Sequence, residues 1–182
     1  MKPEPKQLQR EEEMAWLAAL LAREGVRSYL EIGSKFGGSL STMAKALPKG
    51  SRIVSVDMPG EKSGSEDVLK EVVGDLQLDH DVRLFLGDST SPELVETVAA
   101  LGPYDAVFID ANHTLPYVTK DWENYGPMAQ IVAFHDISFV PKIGSLKKPS
   151  EVKQFWESIK GGYRHEECKL DGRHNGIGVL WR

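Results

Sequence analysis

The sequence has little of what marks secreted, membrane-spanning or nucleic-acid-binding proteins. Cys168 is the only cysteine, which excludes an internal disulfide or a thiolate metal cage and favours a reducing, cytoplasmic location. No apolar run approaches the roughly 20 residues of a membrane-spanning helix, so neither a membrane partner nor a secretory signal is expected. A formal net charge of -5 argues against a broad basic surface for nucleic-acid phosphates.

The chain does contain enough apolar sequence for one globular domain, since 41% of its 182 residues are hydrophobic and 27% are charged. Apolar residues recur at helical spacing from about Leu8 to Arg23, which predicts an amphipathic helix that packs on the core. We therefore divide this single domain into an N-terminal helix, residues 1–25, and a main body, residues 26–182.

Short apolar segments alternate with helical patterns along the main body. The predicted strands of this part are Ser28–Ile32, Arg52–Val56, Val82–Leu86, Asp105–Ile109 and Ile131–Phe134. Strands of this kind, separated by helices, form a parallel sheet that is covered on both faces. At the end of the chain, Tyr163–Leu170 and Ile177–Trp181 flank a turn-rich segment and indicate an antiparallel hairpin. The prediction is a doubly wound α/β fold with a mostly parallel seven-stranded sheet.

Glycines follow the first predicted strand, at the sheet edge where open α/β folds bind ligands. Gly33, Gly37 and Gly38 allow close backbone approach where a helix begins. Asp57 ends the second strand, where a carboxylate can accept hydrogen bonds from both ribose hydroxyls. A tight turn and a strand cap would explain each feature singly, but their order and spacing favour a nucleoside-containing ligand. A dinucleotide motif would need glycine in place of Lys35, so a nicotinamide-dependent oxidoreductase is only a minor alternative.

The third strand ends in Gly87, Asp88 and Ser89. Asp88 either contacts the ligand or caps the helix that begins near Pro92, and Ser91 is the better candidate for that cap. We therefore favour a ligand-binding role for Asp88.

These motifs resemble those of class I S-adenosyl-L-methionine (SAM)-dependent methyltransferases. The segment Glu31–Ser39 is similar to their first motif, which holds the amino-acid end of SAM, although the central glycine is missing. Tyr104–Asp136 resembles small sugar and natural-product O-methyltransferases and cephalosporin-hydroxylase-like proteins. Ala111 and Asn112 depart from the Asp-Gly-Asp-His run of that family, which leaves the role of its second acid open. The resemblance implies a Rossmann-like methyltransferase fold over residues 26–182.

The resemblance also implies which residues contact the cofactor. Asp88 would accept a hydrogen bond from the adenine amino group. The complete predicted set is Glu31, Gly33, Ser34, Lys35, Ser39, Asp57, Met58, Gly87, Asp88, Ser89 and Asp110.

Two acids and two histidines follow the fourth and fifth strands, which are neighbours in methyltransferases of this class. Asp110, His135 and Asp136 could hold Mg²⁺ or Mn²⁺, which would lower the pKa of an acceptor hydroxyl. Alternatively, His113 or His135 acts directly as the general base. Catalytic roles are therefore predicted for Asp110, His113 and His135, while ordinary polar turns remain the structural alternative.

The predicted function is O-methylation of a hydroxyl group on a small molecule or sugar. A non-catalytic SAM-binding module or subunit is the first alternative, and an RNA methyltransferase is the second. DNA is not an expected partner, because the residues after Asp110 lack the Pro-Pro-aromatic run of amino-directed DNA enzymes. The acceptor pocket is left to the N-terminal helix, the long loop Ile137–Ser150 and, in a homodimer, a second copy of the chain. Three lysines of that loop are candidate contacts for an anionic substrate: Lys142, Lys147 and Lys148.

Overall fold

The computed structural model of the chain describes residues 5–58, 60, 65–138, 150–170 and 175–182. Six α-helices lie within these ranges: α1 Glu11–Arg23, α2 Gly38–Ala46, α3 Ser65–Leu76, α4 Pro92–Ala99, α5 Leu115–Tyr125 and α6 Val152–Ile159. They alternate with seven strands: β1 Ser28–Ile32, β2 Arg52–Asp57, β3 Asp81–Leu86, β4 Tyr104–Ile109, β5 Ala129–His135, β6 Arg164–Cys168 and β7 Ile177–Trp181. No helix among the described residues is both long and apolar enough to cross a bilayer.

The strands form one sheet in the order β3-β2-β1-β4-β5-β7-β6. Strands β1 to β5 pair in parallel, whereas β7 runs antiparallel to both β5 and β6. The predicted doubly wound sheet with its C-terminal hairpin is therefore confirmed. Because the chain moves outward from β1 to β3 and then returns to β4, the strand order reverses between β1 and β4. A ligand crevice is expected at that point.

Both faces of the sheet are covered by helices. Neighbouring residues of β1 point to opposite sides, so Tyr29 joins the core beneath α1 to α3 and Leu30 joins the core beneath α4 to α6. Met14 and Leu17 of α1 pack in the first core, and Trp156 of α6 packs in the second. All five residues of β1 are buried, including the polar Ser28 and Glu31, as expected for a central parallel strand that is covered on both faces.

Element boundaries differ from the predictions mainly at the edges of the fold. The N-terminal helix begins at Glu11, and β6 covers only Arg164–Cys168 of the predicted Tyr163–Leu170. A short, charged edge strand of this kind protects the sheet against pairing with other chains. The three candidate lysines, most of the long loop and the tip of the hairpin lie outside the described residues.

Candidate functional site

A pocket of about 650 Å³ opens at the carboxyl ends of β1 to β4, at the reversal of strand order. Most of the predicted cofactor-binding residues line it: Gly33, Lys35, Asp57, Met58, Gly87, Asp88, Ser89 and Asp110. Segments that are far apart in the sequence therefore meet around one cavity. Its size suits a nucleoside-containing ligand.

The loop after β1 lies directly on the end of β4. A Cβ atom at Gly33 would lie 2.4 Å from the backbone oxygen of Asp110, so only glycine fits there. The Gly33 N–H donates to the Val56 carbonyl at 2.8 Å, which joins the same loop to β2. Lys35 adopts a φ of 49°, in the left-handed region that costs energy for a residue with a side chain. The loop is thus held close to two neighbouring strand ends.

Asp57 lies at the mouth of this pocket, where its carboxylate accepts a hydrogen bond from the Met58 N–H at 3.0 Å. Burial raises the pKa of Asp57, while the backbone N–H groups of Met58 and Lys35 oppose that rise. Met58 and Tyr117 are exposed apolar side chains that also line the pocket. The sequence did not indicate Tyr117, whose place on α5 becomes evident only once the helix is docked.

Three of the predicted cofactor-binding residues lie behind the pocket wall. Glu31 is fully buried and accepts hydrogen bonds from the Tyr29 and Ser39 hydroxyls, each at 2.7 Å. The Ser34 hydroxyl pairs with that of Ser55 at 2.8 Å. Burial raises the pKa of Glu31 to about 7, although the hydroxyl donors oppose this rise. These side chains brace the loop from within, and their contact with a cofactor stays a prediction.

The loop after β3 uses Asp88 in a turn. Asp88 Oδ1 accepts hydrogen bonds from the N–H and the hydroxyl of Thr90, at 2.9 and 2.8 Å. Ser91 is the N-cap residue of α4, as preferred from the sequence, although its side chain makes no hydrogen bond to the helix. Ser89 is held from α5, because its hydroxyl donates to Asp121 Oδ1 at 2.7 Å.

The polar residues at the ends of β4 and β5 form one cluster. His113 lies between two carboxylates, with Nε2 3.0 Å from Asp110 Oδ1 and Nδ1 2.7 Å from Asp136 Oδ2. His135 Nδ1 lies 3.1 Å from the same Asp110 oxygen. The prediction that these four residues share one location is confirmed by the pairing of β4 with β5.

Two residues of the N-terminal segment join this cluster and were missed from the sequence. Glu13 of α1 is fully buried; its Oε1 accepts the Gly176 N–H at 2.9 Å, and its Oε2 lies 3.5 Å from His135 Nε2. Gln9 donates a hydrogen bond to Asp110 Oδ2. One signal was present, since Glu13 precedes the core residue Leu17 by four positions and therefore lies on the apolar face of the helix.

Charge pairing sets the protonation states in the cluster. Burial alone would raise the pKa of Asp110, but the imidazoles of His135 and His113 hold it well below its usual range. Burial alone would lower the pKa of each histidine, but Asp110 and the other carboxylates raise both above their ordinary value. Each ring is therefore protonated at neutral pH in this arrangement, and it must lose a proton before it can act as a base.

A second, smaller pocket of about 180 Å³ adjoins the first. Leu8 and Gln9 form one side of it, and it shares five residues with the larger pocket: Gly33, Lys35, Asp110, Ala111 and His113. The segment that carries Leu8 is seated on α2, where the Thr42 hydroxyl donates to Gln7 Oε1 at 2.7 Å. A Cβ atom at Gly38 would lie 2.4 Å from the Gln7 backbone. Two ligands could therefore meet at Asp110 and His113.

The cluster does not provide the geometry of the predicted metal site. Over the described residues, no three His, Cys, Asp or Glu side chains are grouped so that they could hold a metal ion. Instead, the carboxylates and imidazoles contact one another in pairs. The metal-binding roles of Asp110, His135 and Asp136 stay a prediction.

Solved structures of several methyltransferases share this fold. The O-methyltransferase TomG from Streptomyces achromogenes, solved in complex with SAM, has a TM-score of 0.75 and 19% identity over 98% of this chain and 82% of its own. An O-methyltransferase from Bacillus cereus in complex with SAH has a TM-score of 0.70 and 19% identity over 100% of this chain and 84% of its own. A family described as a methyltransferase domain matches residues 30–137, more than half of the sequence. The chain therefore belongs to the methyltransferase domain family.

Proposed function

We propose that this protein transfers the methyl group of SAM to a hydroxyl group of a small polar molecule. The observation that carries the proposal is the junction of two pockets. The larger one is lined by the exits of four strands and suits SAM, while the smaller one opens beside it. Because both pockets share Asp110 and His113, a methyl donor and an acceptor bound in them would meet at these residues.

The pocket supports one orientation of SAM. Asp57 would accept hydrogen bonds from the ribose hydroxyls, and the base would lie between Met58 and Tyr117 with Asp88 near its amino group. The amino-acid end would then reach Gly33 and the shared wall of the two pockets. The two solved relatives that contain SAM or SAH share the fold in which this arrangement is built.

The reaction requires a base for the acceptor hydroxyl, and His113 is the best placed group. Its side chain is 37% exposed and lines both pockets, whereas His135 is buried. In its neutral form, His113 would donate Nδ1–H to Asp136, and Nε2, which then has no proton to donate to Asp110, would accept the hydroxyl proton. The hydroxyl oxygen then bonds to the methyl carbon while the sulfur–carbon bond breaks, and its electron pair stays on sulfur to give SAH.

This assignment predicts the pH dependence of turnover. The carboxylates beside His113 raise its pKa to about 9, so the neutral base becomes more abundant as the pH rises toward that value. We expect kcat to increase between pH 6.5 and pH 9 in steady-state assays that measure SAH release. A rate that does not change with pH over this range would contradict proton transfer to His113.

A bound Mg²⁺ or Mn²⁺ would lower the pKa of the acceptor hydroxyl. As arranged, the candidate ligands do not fit such an ion, so we assign the proton transfer to the chain's own groups. We expect turnover to survive treatment with a chelator. Loss of activity in chelator, restored by Mg²⁺ or Mn²⁺ alone, would overturn this part of the proposal.

The acceptor we propose is a small molecule or sugar, because six of the nine residues that line the smaller pocket have polar side chains. We also propose a cytoplasmic location, on the basis of the single cysteine. A homodimer that completes the acceptor pocket remains a prediction, which the oligomeric state in solution would test.

Calorimetric titration with SAM and SAH tests the proposal, followed by methyl-transfer assays on a panel of hydroxylated acceptors and on RNA. We expect saturable binding of both compounds and transfer to a small hydroxylated acceptor. Binding without transfer to any acceptor would favour a non-catalytic module. Transfer to RNA alone would favour an RNA methyltransferase, and the absence of binding would overturn the proposal.

A further inference from the structure

Helix α5 holds the loop after β3 at two points on a single residue. The Ser89 hydroxyl donates to Asp121 Oδ1 at 2.7 Å, and the Tyr125 hydroxyl donates to the Ser89 carbonyl oxygen at 2.7 Å. Asp121 and Tyr125 are four positions apart, so they lie on one face of the helix. Ser89 lines the larger pocket, whereas both of its partners are buried behind it.

The carboxylate of Asp121 is costly in free energy to bury behind the pocket. Its side chain is fully buried, and its Oδ2 has no hydrogen-bond partner in the part of the chain that the structure describes. Burial and the nearby charge of Asp88 together raise the pKa of Asp121 to about 6, although the hydrogen bond from Ser89 opposes this rise. A buried carboxylate with a single hydroxyl donor is poorly compensated. Departures of this kind from good packing chemistry are typical of residues that serve a function.

The residue next to Ser89 is the one that would contact the base. Asp88 lines the same pocket, and Thr90 donates both of its hydrogen bonds to Asp88 Oδ1. The other carboxylate oxygen can then accept a hydrogen bond from an exocyclic amino group. The direction in which this oxygen points depends on the position of the loop after β3. The hydrogen bond between Ser89 and Asp121 helps to fix that position.

We infer that Asp121 is a positioning residue for base selection, because it holds Ser89 and thereby directs Asp88 toward the amino group of adenine. The inference rests on the proposed SAM-binding function and adds a residue to it that does not line the pocket. Adenine offers an amino group at this position. Hypoxanthine offers a carbonyl oxygen, which the Asp88 carboxylate would repel.

The test compares the Kd of SAH with the Kd of S-inosylhomocysteine, in which a carbonyl oxygen replaces the amino group. We expect the wild-type protein to bind SAH about tenfold or more tightly than the inosine analogue. In Asp121→Ala the Ser89 side chain loses its partner and only the bond from Tyr125 to the Ser89 carbonyl remains, so we expect this ratio to fall to about threefold or less. Asp121→Asn keeps an oxygen that can accept the Ser89 bond, so it should retain more of the selectivity.

Two further variants separate base selection from general damage. Ser89→Ala removes the donor and should reproduce the loss of selectivity, and Asp121→Ala combined with Ser89→Ala should lose no more than either alone. The matched control is Glu123→Gln, on the exposed side of α5, where Glu123 lies 3.5 Å from Lys120. It should leave the ratio of the two dissociation constants unchanged.

The possible outcomes distinguish this inference from the proposed function. If the wild-type protein binds neither compound, the proposed function fails and the inference fails with it. If the wild-type protein selects SAH and folded Asp121→Ala keeps the full ratio, the inference alone is overturned. Should Asp121→Ala not fold, Asp121→Asn and Ser89→Ala decide the question, and a full ratio in Ser89→Ala would overturn the inference.

Discussion

Two buried carboxylates, one under each half of the site, have opposite pKa shifts. Glu31, beneath the loop that follows β1, is fully buried, and the side chain of Asp110 is 6% exposed. Burial raises the pKa of Glu31 to about 7, whereas the pKa of Asp110 stays well below its usual range. The difference lies in the donors, because Glu31 faces two neutral hydroxyls and Asp110 faces two imidazoles. The hydroxyl donors oppose the effect of burial on the pKa of Glu31 only in part, whereas the two imidazoles outweigh it at Asp110.

This contrast indicates that cofactor binding and proton transfer depend on different parts of the site. Glu31, under the loop that follows β1, can lose its charge near neutral pH without breaking an ion pair. The cluster around Asp110 instead consists of ionised groups in contact with one another, at the place where the reaction transfers a proton. Binding and chemistry should therefore respond to different substitutions.

Asp110→Asn should cause the largest loss, and the loss should be in turnover. The substitution keeps the shape of the side chain but removes the charge that both imidazoles share. We expect kcat to fall by about 100-fold or more, while the Kd of SAH changes by less than about threefold. Steady-state kinetics and calorimetry measure the two effects. An equal loss of cofactor affinity would show that the two halves of the site are not separate.

Glu31→Gln should change how stability depends on pH. The pKa of Glu31 is about 7 in the folded protein, whereas the ordinary value of a glutamate is 4.5. Its contribution to folding stability is therefore complete below pH 4.5 and is lost as the pH rises through 7. Relative to the variant, the wild type should lose on the order of 3 kcal/mol between pH 4.5 and pH 8.

Urea unfolding of both proteins at several pH values measures this difference. The histidine cluster is present in both proteins, so its titration cancels in the comparison. Parallel stability curves for wild type and variant would contradict a raised pKa at Glu31.

Asp57→Ala should affect binding rather than turnover at saturating SAM. Loss of hydrogen bonds from the ribose hydroxyls to a charged acceptor costs about 1.5–3 kcal/mol, which corresponds to a roughly 10-fold to 100-fold higher Kd. Calorimetry with SAH measures this change. Asp79→Ala removes an aspartate that pairs with Lys49 outside the pocket and serves as the control. Unaltered affinity in Asp57→Ala would place the ribose elsewhere.

Glu13→Gln should have the smallest effect of these four substitutions. Glu13 does not line the larger pocket, but its carboxylate helps to raise the pKa of His135. We expect kcat to fall about tenfold with an unchanged Kd for SAH. A lower apparent pKa of His135, followed by NMR of its ring protons, would separate an electrostatic role from a purely structural one. An unchanged His135 titration would exclude the electrostatic role.

Local patterns in the sequence were sufficient for most of the fold. Strand β1 was predicted over the same residues, Ser28–Ile32, because its short apolar segment is bounded by Gly25 and by the glycine-rich turn that begins at Gly33. The location of the larger pocket also followed, since parallel strands end at one edge of the sheet. Asp57 and Asp88 could be assigned to that pocket because each directly follows a strand or its glycine.

What could not be predicted depends on contacts between distant parts of the chain. Glu13 reaches Gly176 across 163 positions, and Gln9 reaches Asp110 across 101. No local period encodes such pairs. The local turn in which Asp88 Oδ1 accepts both hydrogen bonds of Thr90, just before the N-cap residue Ser91, was not predicted either.

The seat of the N-terminal segment on α2 has a practical consequence for anyone who produces the protein. Gln7 packs so closely on Gly38 that no side chain fits between them, and the next two residues reach the smaller pocket. An affinity tag fused ahead of this segment would disturb residues that line the smaller pocket. A purification tag attached at Arg182 would avoid this contact. Arg182 directly follows β7, which is separated from β4 by β5 in the sheet.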